Sequence, residues 1–530
     1  MSRRCHAVPL ALLLLLLFVG PVAAQRTPAA PRPARPVRLV VSLVVDQLRP
    51  DYFDRFRQDF RGGFAQLLRD GVFFRNAEQD HALTETAAGH ATVLTGRSPA
   101  SVGIVSNDLG VPDPLSPLIK GNVTGASPRR FIGTTLFDWM LARDPDTRVL
   151  SVSRKDRGAI LTIGRAKVPV FWYSKGSFTT SKWYGDTLPT WVTAWNARDP
   201  IEKLRGSTWA LERDAATYPE PDDRPFEVNG ADKLFPHLLA ADWATAATEM
   251  EKRPIMDSLT LDFALAGVRV LGLGTRHGVD LLSLSLSATD DIGHRWGPGS
   301  REIHDQLLKL DRYLGLFFDS LATIVPADQM MLVLTADHGV TEYPEAGTGG
   351  HISLGSQVRA LNAYGRSRWR IDLGAGSEVG LLFGDAPALA SRGVNLDSLE
   401  RSLAAEIGKI PGVRHVFTQR TLAAAAVTDL DAMRWRRQLP TGFNWFVAAL
   451  AAPNYTWGSS AAETSHGTTN LDDVRVPLLF RIPGVAPRRI ERVVRTVDLA
   501  PTLAALLGIR PTERVEGVVL PELFGHRPTR

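Results

Sequence analysis

Three carboxylates and three imidazoles stand out in this chain by where they fall. Asp46 closes the apolar run "VRLVVSLVVDQ", Asp290 and His294 lie four residues apart in "SATDDIGH", Asp337 and His338 are adjacent in "TADHG", and His466 lies in "ETSHGT". Oxygen and nitrogen donors of these types suit zinc, at ligand distances of roughly 2.0–2.2 Å. Six such side chains, with one hydroxyl oxygen, are enough for two ions. The chain has 12 histidines, and a single Asp-His pair is an ordinary loop feature; the set points to a metal centre. A second stretch, "TETAAGHATVLTG", places Thr84, Thr86, Thr92 and Thr95 around His90. Each hydroxyl could cap a helix, lie along one, or act as a nucleophile.

The elements that must gather these residues alternate in type. Apolar strands are expected at "VRLVVSLVVDQ", "TRVLSVSRKDRG", "VDLLSLSLSATDDIGH", "QMMLVLTADHG" and "VRVPLLFRIPG", with helical patterns such as "GGFAQLLRDG", "REIHDQLLKLDRYLGLFFDSLATI" and "VDLAPTLAALLGI" between them. Continuous apolar strands alternating with helices indicate an α/β fold with a mostly parallel central sheet and helices on both faces. Ligands of such sheets bind beyond the carboxyl ends of the strands, where Asp46, Asp290, Asp337 and the basic "RKDRG" fall. One catalytic body over 37–530 is expected, with insertions near 110–145, 165–235 and 351–460 capping the active-site edge. At 530 residues and 44% hydrophobic, the chain can bury a large core without disulfides.

The amino terminus, "MSRRCHAVPLALLLLLLFVGPVAAQ", has a basic start, a short apolar run and small residues before Gln25. It reads as a signal peptide over 1–24, cut after Ala24, followed by a proline-rich tether over 25–36. Export is therefore expected, to the periplasm or beyond, with no stable membrane span. Cys5, the one cysteine, lies in that leader, so no thiol serves as nucleophile or ligand in the mature protein. The net charge of +5 falls to about +3 without Arg3 and Arg4, too weak a bias for a nucleic-acid partner.

Taken in order along one α/β chain, these motifs resemble the alkaline phosphatase superfamily of two-metal phosphohydrolases. The resemblance is nearest to the phosphate-irrepressible periplasmic alkaline phosphatases, in the branch that also holds nucleotide pyrophosphatase/phosphodiesterases. It runs from about Leu39 to Leu523 and rests on "VVDQLRPDY", "TETAAGHATVLTGRSPASVGIVSND", "SVSRKDRGAI", "SATDDIGHRWGP", "TADHG", "TSHGTTNLDDVRVPLLF" and "TVDLAPTLAALLGI". It implies two zinc ions per chain. Asp290, His294 and His466 would hold one; Asp46, Asp337 and His338 would hold the other, together with the nucleophile's oxygen. It also implies a nucleophile four residues before the histidine of a "TxxxH" pattern, which selects Thr86 and leaves His90 structural. Thr86 precedes "AAGHATVL", so it can stand at a helix start, where an alkoxide and a phosphate are both favoured.

Substrate class turns on a further set. A monoester presents three non-bridging oxygens and two charges, a diester one fewer of each, so a monoesterase needs extra donors. Lys155 and Arg157, expected to face one side of an extended segment, and Asn107 in "IVSND" match the phosphate-contacting set of the monoesterase subgroup. A small-molecule phosphate monoester is the expected substrate. A diesterase of the same superfamily would be expected to lack the Lys155/Arg157 pair. A sulfatase would need a cysteine or serine in a modified-nucleophile motif, and a silent binding protein would not need a complete set. Cysteines of some relatives are missing, and Trp296 and the loop "HGVTEYPEAGTGGH" depart from the pattern on the leaving-group side.

Overall fold

A computed structural model describes residues 35–121, 124–458 and 463–524. The leader, Cys5 and tether residues 25–34 lie outside them. Nine strands build the central sheet: β1 (Leu39–Val45), β2 (Val72–Glu78), β3 (Val149–Ser153), β4 (Val170–Ser174), β5 (Ser177–Thr179), β6 (Asp280–Leu286), β7 (Met330–Thr335), β8 (Arg475–Arg481) and β9 (Arg488–Ile490). Their spatial order is β9-β2-β8-β7-β1-β6-β3-β4-β5, and Val494–Arg495 adds a short pairing to β2.

The middle of the sheet, β7-β1-β6-β3-β4, is parallel throughout; β8 runs antiparallel to both β7 and β2. All seven residues of β1 are buried, as a Val/Leu run with one serine, Ser42, covered on both faces requires. Each such side chain contributes about 1.5–3 kcal/mol of burial free energy. Because β1, β6 and β7 are parallel and in register, Val44, Ser285 and Thr335 lie side by side, and the loops that follow all open at one edge.

The segment expected as an insertion over 165–235 begins differently. Val170–Ser174 and Ser177–Thr179 are the edge strands β4 and β5 of the main sheet. "VFWYS" is a short apolar run that pairs with β3, and Trp172, Trp191 and Trp195 pack the adjoining core. Residues 376–451 carry an antiparallel four-stranded sheet, Gly376–Glu378, Leu381–Phe383, Trp445–Ala451 and Val413–Thr418 in spatial order. It has its own apolar core around Leu382, Ile407, Phe446 and Val447. This body docks on two loops of the main sheet: Leu381, Trp435 and Trp445 pack with Leu83 and Val105. Gln438 accepts from Leu83 N–H at 3.0 Å and donates to the Val105 carbonyl at 2.5 Å.

Candidate active site

Three helices bring the chemistry to this edge, α1 (Thr86–Val93), α2 (Asp156–Ile160) and α4 (Ala288–Trp296), and a further one, α3 (Ile255–Leu271), supports α4, with Asp257 accepting from Ala288 N–H at 3.1 Å. Thr86 is the first residue of α1, with Glu85 as its N-cap. The other three threonines use their hydroxyls elsewhere. Thr84 donates to the Thr468 carbonyl at 2.9 Å, Thr92 to the Gly89 carbonyl at 2.7 Å, and Thr95 to the Ala91 carbonyl at 2.7 Å. Thr86 Oγ1 instead faces His338 Nε2 at 3.5 Å and Lys155 Nζ at 3.4 Å. Helix α1 can approach this closely because residue 89 has no side chain: a Cβ at Gly89 would lie 2.1 Å from the Asp337 carbonyl oxygen. His90 ties the helix down, with Nδ1 2.8 Å from the Thr86 carbonyl and 3.1 Å from Asp337 Oδ2, and Nε2 2.9 Å from Ser285 Oγ.

Asp290 and His294 lie one turn apart on α4, His294 Nε2 3.3 Å from Asp290 Oδ1. His466 Nε2 is 3.7 Å from the same oxygen. His338 Nε2 is 3.4 Å from Asp46 Oδ1 and 3.5 Å from Asp337 Oδ2, and its ring stacks on His466 at 3.6 Å. Two clusters have ligand atoms close enough to share an ion, Asp290–His294–His466 and Asp46–Asp290–His338. Asp290 belongs to both, a sharing that linear spacing does not reveal.

The residues fit zinc on two grounds. First, each histidine has Nδ1 against a carbonyl: Gly339 for His338 at 2.9 Å, Thr84 for His466 at 2.6 Å, Thr464 for His294 at 2.7 Å. A carbonyl only accepts, so Nδ1 carries the proton and Nε2 turns a lone pair into the site, as metal-binding histidines do. Second, Asp46, Asp290 and Asp337 are buried at 0%, 4% and 0% exposure with only Lys155 among them as a permanent cation. Three carboxylates against one ammonium leave uncompensated buried charge, which is costly unless cations balance it.

The ionisation of these groups follows from the crowding. Burial, with Asp290 and Asp337 alongside, pushes Asp46 up to about 7. Burial would also raise Asp290 and Asp337, but Lys155 and His294 hold the first well below the usual range, and His338 and His90 the second. Burial together with His338 and His294 keeps His466 well below an ordinary imidazole, hence neutral.

Lys155 and Arg157 depart from the extended segment expected for them. Lys155 is the N-cap of α2, and Arg157 is already in its first turn. The chain turns into a helix directly after β3, so the two side chains leave from a helix start. Lys155 Nζ lies 2.5 Å from both Asp46 Oδ2 and Asp290 Oδ2, while the Arg157 side chain stays 27% exposed. Asn107 Oδ1 accepts from Ala87 N–H at 3.0 Å, and Glu85 accepts from Asn107 N–H at 3.3 Å and from Nδ2 at 3.5 Å. That bond to Ala87 sets the amide's orientation, with its oxygen accepting and its NH2 left to donate.

Beside Asp108 the docked body adds Glu378, pushed up to about 9 by burial and by Glu85 and Asp108. A raised carboxyl stays neutral in the fold while the unfolded chain ionises, so stability falls as pH rises from 4.5 towards 9. Glu378→Gln removes that loss. It should raise the thermal midpoint by about 1–3 °C at pH 8, with a gain that vanishes as pH approaches 4.5; a pH-independent shift in melting curves would contradict this origin.

An α/β sheet whose strand ends gather a hydroxyl, three carboxylates and three Nε2 lone pairs defines a metal-dependent phosphoesterase of the alkaline phosphatase superfamily. Residues 40–360 match the type I phosphodiesterase / nucleotide pyrophosphatase family model, and the chain belongs to that family. It is 29% identical to alkaline phosphatase PafA of Elizabethkingia meningoseptica over 97% of this chain and 98% of that protein. It is 30% identical to alkaline phosphatase PhoV of Synechococcus elongatus over 96% of this chain and 98% of that one. The fold superposes on the crystal structure of PafA with a TM-score of 0.84 at 27% identity, covering 93% of this chain and 99% of that chain. Among the described residues, no helix is long and apolar enough to cross a membrane.

Proposed function

We propose that the protein is an exported alkaline phosphatase that hydrolyses phosphate monoesters through a phosphothreonine on Thr86. The observation that carries this is the Thr86 hydroxyl itself. It stands at a helix start, free of the bonds that occupy the other threonines, 3.4 Å from Lys155 Nζ and 3.5 Å from His338 Nε2. PafA and PhoV, by name alkaline phosphatases, support the monoester reading, and the basic, apolar leader supports export.

Asp290, His294 and His466 would hold one zinc, and Asp46, Asp337, His338 and the Thr86 oxygen the other. When bound, zinc supplies Lewis acidity that lets a hydroxyl ionise near neutral pH and steadies charge on a departing oxygen. The protein does the rest. The positive end of the α1 dipole draws the phosphoryl group towards Thr86. Lys155, Arg157 and Asn107 share its non-bridging oxygens and orient the ester for in-line attack. The Thr86 O–P bond then forms as the bond to the leaving alkoxide breaks, and water later cleaves the threonine ester to release inorganic phosphate. The insertions near 110–145 and 351–460, and the part of 165–235 that follows the edge strands β4 and β5, would cap the site, with the 376–451 body shaping the leaving-group side.

Comparing kcat/KM for a monoester and a diester with one leaving group, before and after chelation and zinc return, tests this reading. The parent should prefer the monoester and recover only with metal. Arg157→Ala should lower monoester turnover by about 10²-fold and diester turnover far less. Equal losses would remove the specificity argument, and a preference for the diester would return the protein to the diesterase activity its family name carries.

A further inference from the structure

Gln47 follows Asp46 and is fully buried, with φ +65°, a left-handed conformation strained for any residue with a Cβ. Its backbone N–H donates to Asp337 Oδ1 at 3.1 Å, and its side-chain Nε2 donates to Asp290 Oδ1 at 2.8 Å. One residue thus holds two of the carboxylates proposed above as ligands, one for each ion. With Nε2 on Asp290 Oδ1, the carboxylate is turned so that Oδ1 faces His294 at 3.3 Å and His466 at 3.7 Å, while Oδ2 faces Lys155 at 2.5 Å. Helix α4 makes room for this amide at one position. A Cβ at Gly293 would stand 1.8 Å from Gln47 Oε1, 2.9 Å from its Cδ and 3.7 Å from its Nε2, and those are the three nearest atoms it would meet. Outside its own helix, Gln47 is therefore what a side chain at Gly293 would strike first.

We propose that Gln47 is a positioning residue for Asp290, and that Gly293 is the socket on the ligand helix that admits it. The inference rests on the two-zinc reading above. Without the amide, Asp290 is free to rotate towards Lys155, and the ion held with His294 and His466 is weakened. Glycine suits φ +65° and retains the backbone N–H to Asp337, so Gln47→Gly deletes the side-chain bond alone.

Zinc titrated against a competing chelator, in the parent, Gln47→Gly, Gly293→Ala and the double variant, tests this without any reference to turnover. The parent should bind two zinc ions. Gln47→Gly should keep one and bind the other about 10–100-fold more weakly. Gly293→Ala should show the same loss, because its methyl group displaces an intact Gln47. The double variant should bind no more weakly than Gln47→Gly, since the clash has no partner left; it also carries the test should Gly293→Ala fail to fold. In cobalt-loaded protein, the visible spectrum of one site should change in Gln47→Gly. Parental affinity at both sites in Gln47→Gly, or losses that multiply in the double variant, would overturn the proposal alone. A parent that binds fewer than two ions would overturn the two-zinc reading itself.

Discussion

Thr86→Ala should lower kcat/KM for a phosphate monoester by about 10³-fold or more while the protein keeps its metal. The substitution removes one hydroxyl whose two contacts are both long. Among the described residues, Thr86 Oγ1 has His338 Nε2 and Lys155 Nζ as its hydrogen-bond partners, at 3.5 and 3.4 Å, so the fold loses little. Thr84→Ala makes the contrasting control. Its hydroxyl donates to the Thr468 carbonyl at 2.9 Å and accepts from Gly467 N–H at 3.2 Å, beside the loop that carries His466. That variant should weaken metal retention and stability, with turnover falling only as metal is lost. Single-turnover labelling with a radioactive monoester should mark the parent on Thr86 and leave Thr86→Ala unlabelled; label on another residue would displace Thr86 as nucleophile.

Asp290→Ala should be comparably severe by a different route, with activity down by about 10³-fold or more and bound zinc below one per chain after dialysis. Asp290 lies within reach of both clusters of ligand atoms: it would hold one ion with His294 and His466 and stands beside Asp46 and His338 of the other, so its loss disturbs both sites, whereas loss of His294 or His466 removes a ligand from one. It is also the partner of Lys155 at 2.5 Å and of the Gln47 amide at 2.8 Å. Removing it leaves the Lys155 ammonium with Asp46 at 2.5 Å and takes from the buried Gln47 amide the carboxylate it donates to. Metal analysis of Asp290→Ala beside His294→Ala reads the difference directly; a chain that keeps two ions without Asp290 would make this carboxylate structural.

Much of this was legible in the linear sequence, for identifiable reasons. The apolar runs ending at Asp46, Ser287 and Thr335 are strands buried on both faces, and such strands need no partner to be recognised. Beyond their ends the chain must turn polar, so Asp46, Asp290, Asp337 and His338 announce the site's edge. Lys155 and Arg157 were legible as a pair but not in conformation, because the strand-to-helix turn after Ser153 is set by packing between β3 and β6. "VFWYSKGSFTT" was misplaced because its aromatics resemble a surface insertion until β3 is there to pair with it.

Residue types and order along the chain determined the fold class, the donor set of three carboxylates and three imidazoles, and the candidate hydroxyls around His90. These are properties of local pattern, readable wherever side-chain chemistry and strand periodicity coincide. Tertiary structure alone decided how those donors are shared and held. Asp290 joins two clusters because α4 starts beside β1, and the histidines turn Nε2 inward because distant carbonyls take their Nδ1 protons. Gly293 must be glycine because Gln47, 246 positions earlier, fills its space. Such constraints arise from contacts between segments far apart in the chain, and no spacing within either segment encodes them.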